Sequence, residues 1–178
     1  MGDRKQATSS ENGGMRVTDT LAFVRGHWQL DRHLTDHRSG AGGRFTGRAV
    51  VAPAPPGHAG QPGEWCYTED GELRFAAHTG PASRRLRYQG RPDGTVAVRF
   101  LDGRPFYVLD LRDGWAQAEH GCGRDHYVIS HRVLAADLLE EEWRVRGPDK
   151  DYRAFTRLAR KPLHHPRIHR TMDGNNVT

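Results

Sequence analysis

Hydrophobic and polar residues alternate along most of the chain, in short runs that are separated by glycine and proline. Segments 28–34 and 45–51 both place apolar side chains at most of the alternate positions, which is the period of a strand with one buried face. Four Asp-Gly dipeptides follow, at residues 70–71, 93–94, 102–103 and 113–114. Asp-Gly favours a tight hairpin turn, in which both central residues adopt positive φ. The pattern therefore predicts an antiparallel meander.

The alternating runs predict nine or ten strands after one short helix. Thr18 is the expected N-cap of the helix and Gly26 its end. After the first two strands, the expected strands lie at 65–69, 72–78, 84–88, 96–100, 106–111, 115–119, 126–131 and 152–160. Residues 134–140 fit either a strand or a helix, and residues 147–149 form a turn. The last strand is expected to present one face that consists of Tyr152, Ala154, Thr156 and Leu158.

A meander of this length buries its edge strands most easily by closing on itself. We therefore expect an all-β fold, a closed barrel of about eight to ten strands with a short N-terminal helix. Residues 16–160 are expected to form the barrel, between a disordered polar tail at 1–15 and a flexible basic tail at 161–178. A loop rich in proline and glycine at 52–63 is long enough to flank the barrel mouth. The interior of a small barrel can hold one small molecule.

The composition is typical of one globular domain with a charged exterior. The chain has 178 residues, of which 35% are hydrophobic and 28% charged, and its formal net charge is +5. This surplus of positive charge is small, and the sequence does not show basic residues alternating with aromatic ones along one face. We therefore expect no nucleic-acid partner. Two cysteines do not make a disulfide framework. Without an apolar run of membrane-spanning length or a signal peptide, the chain is expected to be a cytoplasmic monomer or homodimer that binds no membrane.

The segment His120-x-Cys122-x-x-Asp125-x-Tyr127 concentrates the most reactive side chains. His120 and Cys122 point to the same side of a strand, and a histidine can activate a neighbouring thiolate. Asp125 and Tyr127 would then supply acid–base groups to the same cavity. The alternative is a structural turn, in which the two glycines bend the chain, Asp125 caps local amides and Cys122 is a small buried residue. The spacing matches no standard zinc framework, so we expect no metal and no cofactor.

An arginine-rich run at 84–87 has two interpretations that depend on which face of the strand is buried. Alternation places Arg85 and Arg87 on one face and Leu86 with Tyr88 on the other. If Leu86 and Tyr88 face inward, the arginines form a solvated surface. If the parity is reversed, they line the cavity and bind a carboxylate or phosphate. Arg99 shares this ambiguity, because a one-residue slip exchanges the two faces.

Some of the tyrosines are expected to line a pocket, where each would offer a hydroxyl group to a ligand. With the arginines and the cysteine, they complete the set of candidate ligand-binding residues. This set consists of Tyr88, Tyr107, Cys122, Arg87 and Arg99.

Gly26-His27-Trp28 at the start of the first strand, together with the meander and a basic residue near the end of the last strand, resembles the calycin superfamily. Lipocalins carry Gly-x-Trp at this place, and the resemblance implies that the tryptophan closes the barrel floor under an arginine from the last strand. Trp28 would be that tryptophan, and Arg157 or Arg160 the arginine. A guanidinium over an indole ring is favourable and excludes water.

Three longer strings are similar to an uncharacterised actinomycete and fungal family, a domain of unknown function of about 150 residues. They are Tyr88…Phe100-Leu-Asp102-Gly103-Arg104-Pro-Phe106, His120-Gly-Cys122-Gly-Arg-Asp125-His-Tyr127 and Trp143-Arg-Val145-Arg-Gly147-Pro148-Asp-Lys150-Asp151-Tyr152. The resemblance covers residues 18–160. It implies a fold and supplies no established activity.

Two functional hypotheses follow. In the first, the barrel holds a hydrophobic or amphipathic small molecule in its central cavity, as a binding protein or carrier. In the second, it is a cofactor-independent cyclase or isomerase that acts on a natural-product intermediate, with His120, Asp125 and Tyr127 as catalytic residues. A haem-binding barrel is a weaker third hypothesis, because no histidine can be assigned as the haem ligand.

Overall fold

The computed structural model describes residues 13–55 and 63–160 of the chain. The predicted tails, apart from residues 13–15, and residues 56–62 of the loop predicted at 52–63 lie outside the described residues, whereas residues 52 and 53 belong to β2. The elements are α1 (Thr20–Val24), β1 (Gly26–Asp36), β2 (Gly42–Pro53), β3 (Glu64–Phe75), β4 (His78–Gly90), β5 (Val96–Arg99), β6 (Pro105–Leu109), β7 (Trp115–Cys122), β8 (Asp125–Ala135), β9 (Leu138–Arg146) and β10 (Asp151–Ala159). Residues 138–140, which fitted either a strand or a helix, begin a strand.

The ten strands form one antiparallel sheet in the order β6-β5-β4-β3-β2-β1-β10-β9-β8-β7. Because β1 pairs with both β2 and β10, the first and last strands join the two halves of the meander. The terminal strands β6 and β7 approach each other without a hydrogen-bonded ladder between the described residues. The predicted all-β antiparallel meander is therefore confirmed, and it forms a nearly closed barrel with one short helix.

Three of the four Asp-Gly dipeptides form the predicted turns. Gly94, Gly103 and Gly114 have φ values of 80°, 86° and 78°, which glycine adopts without the steric cost of a Cβ atom. They connect β4 to β5, β5 to β6, and β6 to β7. The turns thus lie where the sequence predicts them, but their geometry differs from the predicted one, because Asp93, Asp102 and Asp113 have no positive φ.

The turn predicted at Asp70-Gly71 is wrong, because both residues lie inside the continuous strand β3. Gly71 pairs with Gly47 on β2, and a Cβ atom on Gly71 would lie 2.7 Å from the Gly47 Cα and 2.8 Å from the Phe45 Cζ. Close packing of two strands, rather than a turn, therefore requires this glycine. The hairpin turn between β3 and β4 comes five residues later, where Ala76 adopts a φ of 51°.

Helix α1 begins one residue later than predicted and covers one end of the barrel. Its N-cap is Asp19, not Thr18, since the Asp19 carboxylate accepts a hydrogen bond of 2.6 Å from the amide of Ala22. The buried Thr20 hydroxyl accepts from the amide of Leu111, at 3.1 Å. We call the end of the barrel covered by α1 the helix end, and the opposite end the far end.

The helix end is sealed by an arginine that lies over a tryptophan. The Arg160 Cζ lies 4.1 Å from the centroid of the Trp28 ring, and its guanidinium donates to the carbonyl oxygens of Phe23 and Arg25. The Trp28 indole donates to the carbonyl of Val24 at 2.8 Å. Of the two candidate arginines, Arg160 lies over the Trp28 ring, whereas Arg157 lies on the outer face and pairs with Glu140 at 2.9 Å.

Candidate functional site

Five charged or ionisable side chains meet inside the barrel, about halfway along the strands. Each of them faces the interior, because the residue two positions away on the same strand is buried and side chains two residues apart lie on the same face. We call this group the interior charged layer, and it consists of Arg32 on β1, Glu69 on β3, Arg84 on β4, His131 on β8 and Glu141 on β9.

Arg32 connects opposite sides of the barrel. Its guanidinium makes a bidentate pair with Glu69, with N–O distances of 2.8 and 3.0 Å. The remaining nitrogen, Nε, donates to the Thr156 hydroxyl at 2.8 Å, and Nη2 lies 3.5 Å from Glu141 Oε1. A planar guanidinium suits this role because it offers several donors in a fixed geometry.

Arg84 reaches the same two carboxylates from β4. Its Nη2 donates to Glu69 Oε2 at 3.1 Å and lies 3.6 Å from Glu141 Oε1. The Arg84 Cζ also lies 4.5 Å from the centroid of the Trp143 ring, in a cation–π arrangement. Each buried carboxylate therefore faces both guanidinium groups, and the two positive and two negative charges balance.

The pKa of the Glu141 carboxyl is far below its ordinary value of 4.5. Burial alone would raise this pKa, but the hydrogen bond to His131 and the two guanidinium charges outweigh burial. The Glu69 carboxyl responds in the same way, since the arginines lower its pKa against the effect of burial. Because the ionised Glu141 can only accept, the His131 Nε2 that lies 3.2 Å from Oε2 carries the hydrogen.

Three tyrosines extend this polar network toward the helix end. The Tyr67 hydroxyl donates to Glu69 at 2.6 Å, its ring stacks on that of Tyr88, and the hydroxyls of Tyr88 and Tyr107 share a hydrogen bond. Burial raises the pKa of all three phenols. They are therefore neutral hydrogen-bonding groups at ordinary pH.

A small cavity separates the interior charged layer from the Trp28 floor. Its volume is about 20 Å³, which is roughly the space that one water molecule needs. Glu141, His131, Tyr67 and Tyr88 contribute the polar part of the lining, and the rest is apolar. This part of the interior is thus packed by side chains and has no room for an organic ligand.

The far end of the interior is apolar and only partly buried. Inward-facing side chains of β1, β3, β4, β8 and β10 remain partly accessible here, although they pack on the core. We call this region the far-end cup, and it is formed by Leu34, Leu73, Ala82, Tyr127 and Tyr152. The interior charged layer is its floor, because each of these residues lies farther from α1 than the charged residues do.

The predicted catalytic segment lies at the rim of the far-end cup. The rings of His120 and Tyr127 have centroids 6.2 Å apart, and Lys150 Nζ lies 2.5 Å from the Asp125 carboxylate and 3.2 Å from the Tyr127 hydroxyl. These two hydrogen bonds raise the pKa of Lys150. Cys122 is exposed at the end of β7.

The predicted ligand-binding residues lie on different faces of the wall. Tyr88 and Tyr107 are buried and paired with the inward-facing Val98. The intervening Arg87 is on the outward side, where its Nη1 lies 3.8 Å from a Glu64 carboxylate oxygen. Arg99 pairs with Arg87 across the strands and donates to the Gly103 carbonyl at 3.2 Å. The structure therefore does not bring these two arginines to the interior.

The interior charged layer was missed, although the sequence contains a signal for it. Arg84 has the same strand parity as Leu86 and Tyr88, and Glu141 has that of Leu139 and Trp143. A charged residue on the apolar face of a strand is rare unless it is paired. The strand parity of these residues identifies them as inward-facing, but only the closed barrel shows which of them are partners.

The fold and the site together define a nearly closed antiparallel β-barrel with a balanced charged layer across its interior. The model of a family of unknown function, DUF6314, matches residues 24–160. The chain belongs to this family, in agreement with the resemblance to an uncharacterised family. No curated protein matches the chain.

The solved structures that match the chain have little sequence in common with it. The S-type phycobiliprotein lyase CPES from Guillardia theta is 11% identical, with a TM-score of 0.59 over 85% of this chain and 96% of the lyase. A redesigned β-barrel, mFAP0, bound to DFHBI is 12% identical, with a TM-score of 0.40 over 78% of this chain and 99% of that one. A fluorescence-activating β-barrel designed de novo is 12% identical, with a TM-score of 0.41 over 81% of this chain and 100% of the designed one.

Two further properties concern only residues 13–55 and 63–160. Within these ranges, no group of three or more histidine, cysteine, aspartate or glutamate side chains is arranged to hold a metal ion. Among the same residues, no helix has the length and apolar character to cross a membrane.

Proposed function

We propose that this barrel is a binding protein or carrier that holds a small molecule with an apolar body in the far-end cup. The observation that carries the proposal is the contrast between the two ends of the interior. At the helix end most inward-facing side chains are buried, Trp65 and Ala116 being partly buried exceptions, and the cavity between them is small. In the far-end cup, apolar and aromatic side chains stay partly accessible on the inner wall. Accessible apolar surface on a concave wall is typical of a ligand site.

The closed helix end gives the ligand a single direction of approach. Trp28, Arg160 and α1 cover that end, and the cavity behind the charged layer has only about 20 Å³. A ligand that enters from the far end would therefore stop at the interior charged layer. The phycobiliprotein lyase has a barrel of similar fold and supports the proposal at the level of fold alone. The cytoplasmic location and the monomeric or homodimeric state stay predictions.

A pair of neighbouring substitutions on β4 tests the site. Ala82 faces the cup, whereas Ser83 is exposed on the outer wall. We expect Ala82→Trp to fill the cup and to weaken the binding of Nile red, an uncharged apolar dye, at least about tenfold. Ser83→Trp should leave the affinity unchanged. Saturable fluorescence titration measures both, with circular dichroism as the control for folding, and equal affinities in the two folded variants would contradict the proposal.

Native mass spectrometry of the purified protein provides a second test. A ligand in the cup should appear as a discrete added mass in the wild type, with reduced occupancy in Ala82→Trp. An added mass that persists equally in this variant would place the ligand outside the cup.

The second candidate function is cofactor-independent proton transfer on the bound ligand. It is favoured by the convergence of Lys150 on the Tyr127 hydroxyl and Asp125 at the rim of the cup, next to His120. Such groups could act as the acid and base of an isomerase or cyclase. If so, the co-purified ligand should take up deuterium from D₂O in the presence of the wild type but not of Tyr127→Phe. A carrier would give no uptake with either protein.

A further inference from the structure

A groove on the outer wall, at the far end of the barrel, is lined mainly by basic side chains. It lies over the ends of β9 and β10 that their connecting turn joins, next to the end of β1, and its volume is about 210 Å³. We call it the basic groove. Besides Val145 and Tyr152, its lining consists of His37, Arg144, Arg146, Asp151 and Arg153.

The register of β9 and β10 places these charged residues side by side. Arg144 lies directly opposite Arg153, and Arg146 lies opposite Asp151 in the next row of the same face. Like charges in directly opposite positions of two strands are unfavourable unless an anion compensates them. The groove therefore depends on acceptors for its guanidinium groups.

Glu142 supplies one such acceptor, at the edge of the groove. The Nε of Arg144 and the Nη2 of Arg153 both donate to its carboxylate, the second at 2.6 Å. Glu142 precedes Arg144 by two residues and lies toward the helix end, whereas Arg146 follows it by two and lies toward the far end. The carboxylate thus holds two of the three guanidinium groups from one side and leaves their other N–H groups without a described acceptor.

Arg146 has no acidic partner among residues 13–55 and 63–160, although Asp151 is its neighbour across the strands. All three guanidinium groups are also open to solvent. The side chains of Arg144 and Arg153 are 67% and 49% exposed, and Arg146 is exposed as well. Against Glu142 and Asp151, the three arginines leave a surplus of one positive charge where a dissolved ligand can reach them.

A phosphate group suits this arrangement better than a carboxylate does. An esterified phosphate carries a charge of about −1.5 to −2 at pH 7 and has three acceptor oxygens, so it can accept from guanidinium groups on both strands. A carboxylate has two oxygens, which match the fork of a single arginine. The groove is about ten times as large as the interior cavity, and it therefore has room for part of the molecule that carries the phosphate.

We propose that the basic groove is a binding site for the phosphate group of a small molecule, with Arg144, Arg146 and Arg153 as the donors. The site lies on the outer wall and does not depend on the far-end cup, so this inference goes beyond the proposed function. Among the described lining residues, Asp151 is the only carboxylate, and its charge opposes the ligand.

Isothermal titration calorimetry of the full chain at low salt tests the site with three probes, which are phenyl phosphate, inorganic phosphate and benzoate. We expect saturable binding of phosphate at one site, and binding of benzoate that is at least about fivefold weaker. Binding of either phosphate supports the proposal. Tighter binding of phenyl phosphate identifies an esterified ligand, and equal binding of the two identifies the free ion.

Three variants locate the binding in the groove. Arg146→Gln should weaken phenyl phosphate at least about fivefold, because it removes a charged donor. Arg85→Gln is the matched control and should leave the affinity unchanged. Arg85 is likewise exposed and without an acidic partner in the described part of the chain, but it lies on β4, outside the groove. Asp151→Asn should tighten binding, since it removes the opposing charge.

Three outcomes would overturn the proposal. One is the absence of saturable phosphate binding to the folded wild type, and another is benzoate binding as tight as that of the phosphates. The third is equal weakening in Arg146→Gln and Arg85→Gln, which would show a response to net charge alone. Circular dichroism is the control for folding. Nile red should bind Arg146→Gln as it binds the wild type, so failure of the phosphate site leaves the binding function of the cup untouched.

Discussion

At the scale of the residue, Glu141 shows how the barrel tolerates charge in its interior. The carboxylate lies near two guanidinium groups and hydrogen-bonds to His131. Removing one partner of a buried ion pair is costly, because it leaves the other charges without compensation. The neighbouring Glu140 points outward and pairs with Arg157, which is 62% exposed. The two adjacent glutamates thus lie on opposite faces of β9, and they differ mainly in whether their arginine partners are exposed.

This contrast predicts different effects of the same substitution. Glu141→Gln should lower the free energy of unfolding by about 3–5 kcal/mol, because it leaves the guanidinium groups underpaired. Glu140→Gln should cost less than about 1 kcal/mol, since its partner is exposed. Urea denaturation followed by circular dichroism measures both values. Similar small losses in the two variants would show that the interior charged layer adds little to stability.

The same carboxylates predict a loss of stability in acid. The folded-state pKa values of Glu69 and Glu141 lie below the ordinary value of 4.5, so the unfolded chain binds protons first as the pH falls. Their contribution is complete above about pH 5 and declines progressively below about pH 4.5. Urea midpoints between pH 7 and pH 3 should follow this course, with a shallower decline in Glu141→Gln. An identical pH dependence in the wild type and the variant would contradict this assignment.

At the scale of the element, the β3–β4 hairpin has a turn without the glycine, proline or asparagine residues that usually predict one. The connection is Ala76-Ala77, and Ala76 adopts a φ of 51°, which is unfavourable for a residue with a Cβ atom. The Asp70-Gly71 dipeptide, whose glycine lies five residues earlier, does not form a turn. Its Gly71 instead allows β3 to pack closely on β2, where it pairs with Gly47. The strand continues through the dipeptide because both neighbouring strands pair with it there.

Glycine at this turn should therefore stabilise the protein. Ala76→Gly relieves the positive φ and is expected to raise the free energy of unfolding by up to about 1 kcal/mol. Ala77→Gly is the control, because Ala77 has no positive φ and the change only adds freedom to the unfolded chain. Thermal unfolding of both variants measures the difference. A lower stability of Ala76→Gly than of Ala77→Gly would contradict the reported turn geometry.

At the scale of the whole molecule, the helix end depends on contacts between the two termini of the barrel. Trp28 lies at the start of β1, and Arg160 follows β10, the last strand. The guanidinium covers the ring and also donates to the carbonyls of Phe23, within α1, and Arg25, directly after it. One side chain therefore ties the helix, the first strand and the end of the last strand together.

Substitution of this arginine should have a larger effect than that of its neighbour. Arg160→Gln removes the cation–π contact and the hydrogen bonds to α1, and should cost about 1–3 kcal/mol of unfolding free energy. Arg157→Gln breaks only a pair in which the arginine is 62% exposed and should cost less than about 1 kcal/mol. Chemical denaturation compares the two. Equal costs would mean that Arg160 contributes no more than a surface ion pair.

The sequence by itself determined the class of fold and most of the turns. The strands could be predicted because alternation with a period of two depends only on neighbours along one strand. The turns at Gly94, Gly103 and Gly114 could be predicted because glycine adopts a positive φ without strain. The face formed by Tyr152, Ala154, Thr156 and Leu158 also follows from local alternation.

The tertiary structure alone decided which charged residues form the site. Glu69 and Glu141 lie 37 and 109 residues after Arg32, and no local pattern records their pairing. Their contact depends on strand register, on the pairing of β1 with β10 and on the approach of the terminal strands β6 and β7. Register is set by the packing of all strands at once, and a slip of one residue would turn each of these side chains to the outer wall. For this reason the alternating strands and the inward parity of these residues could be predicted from the sequence, whereas their pairing in the interior charged layer could not.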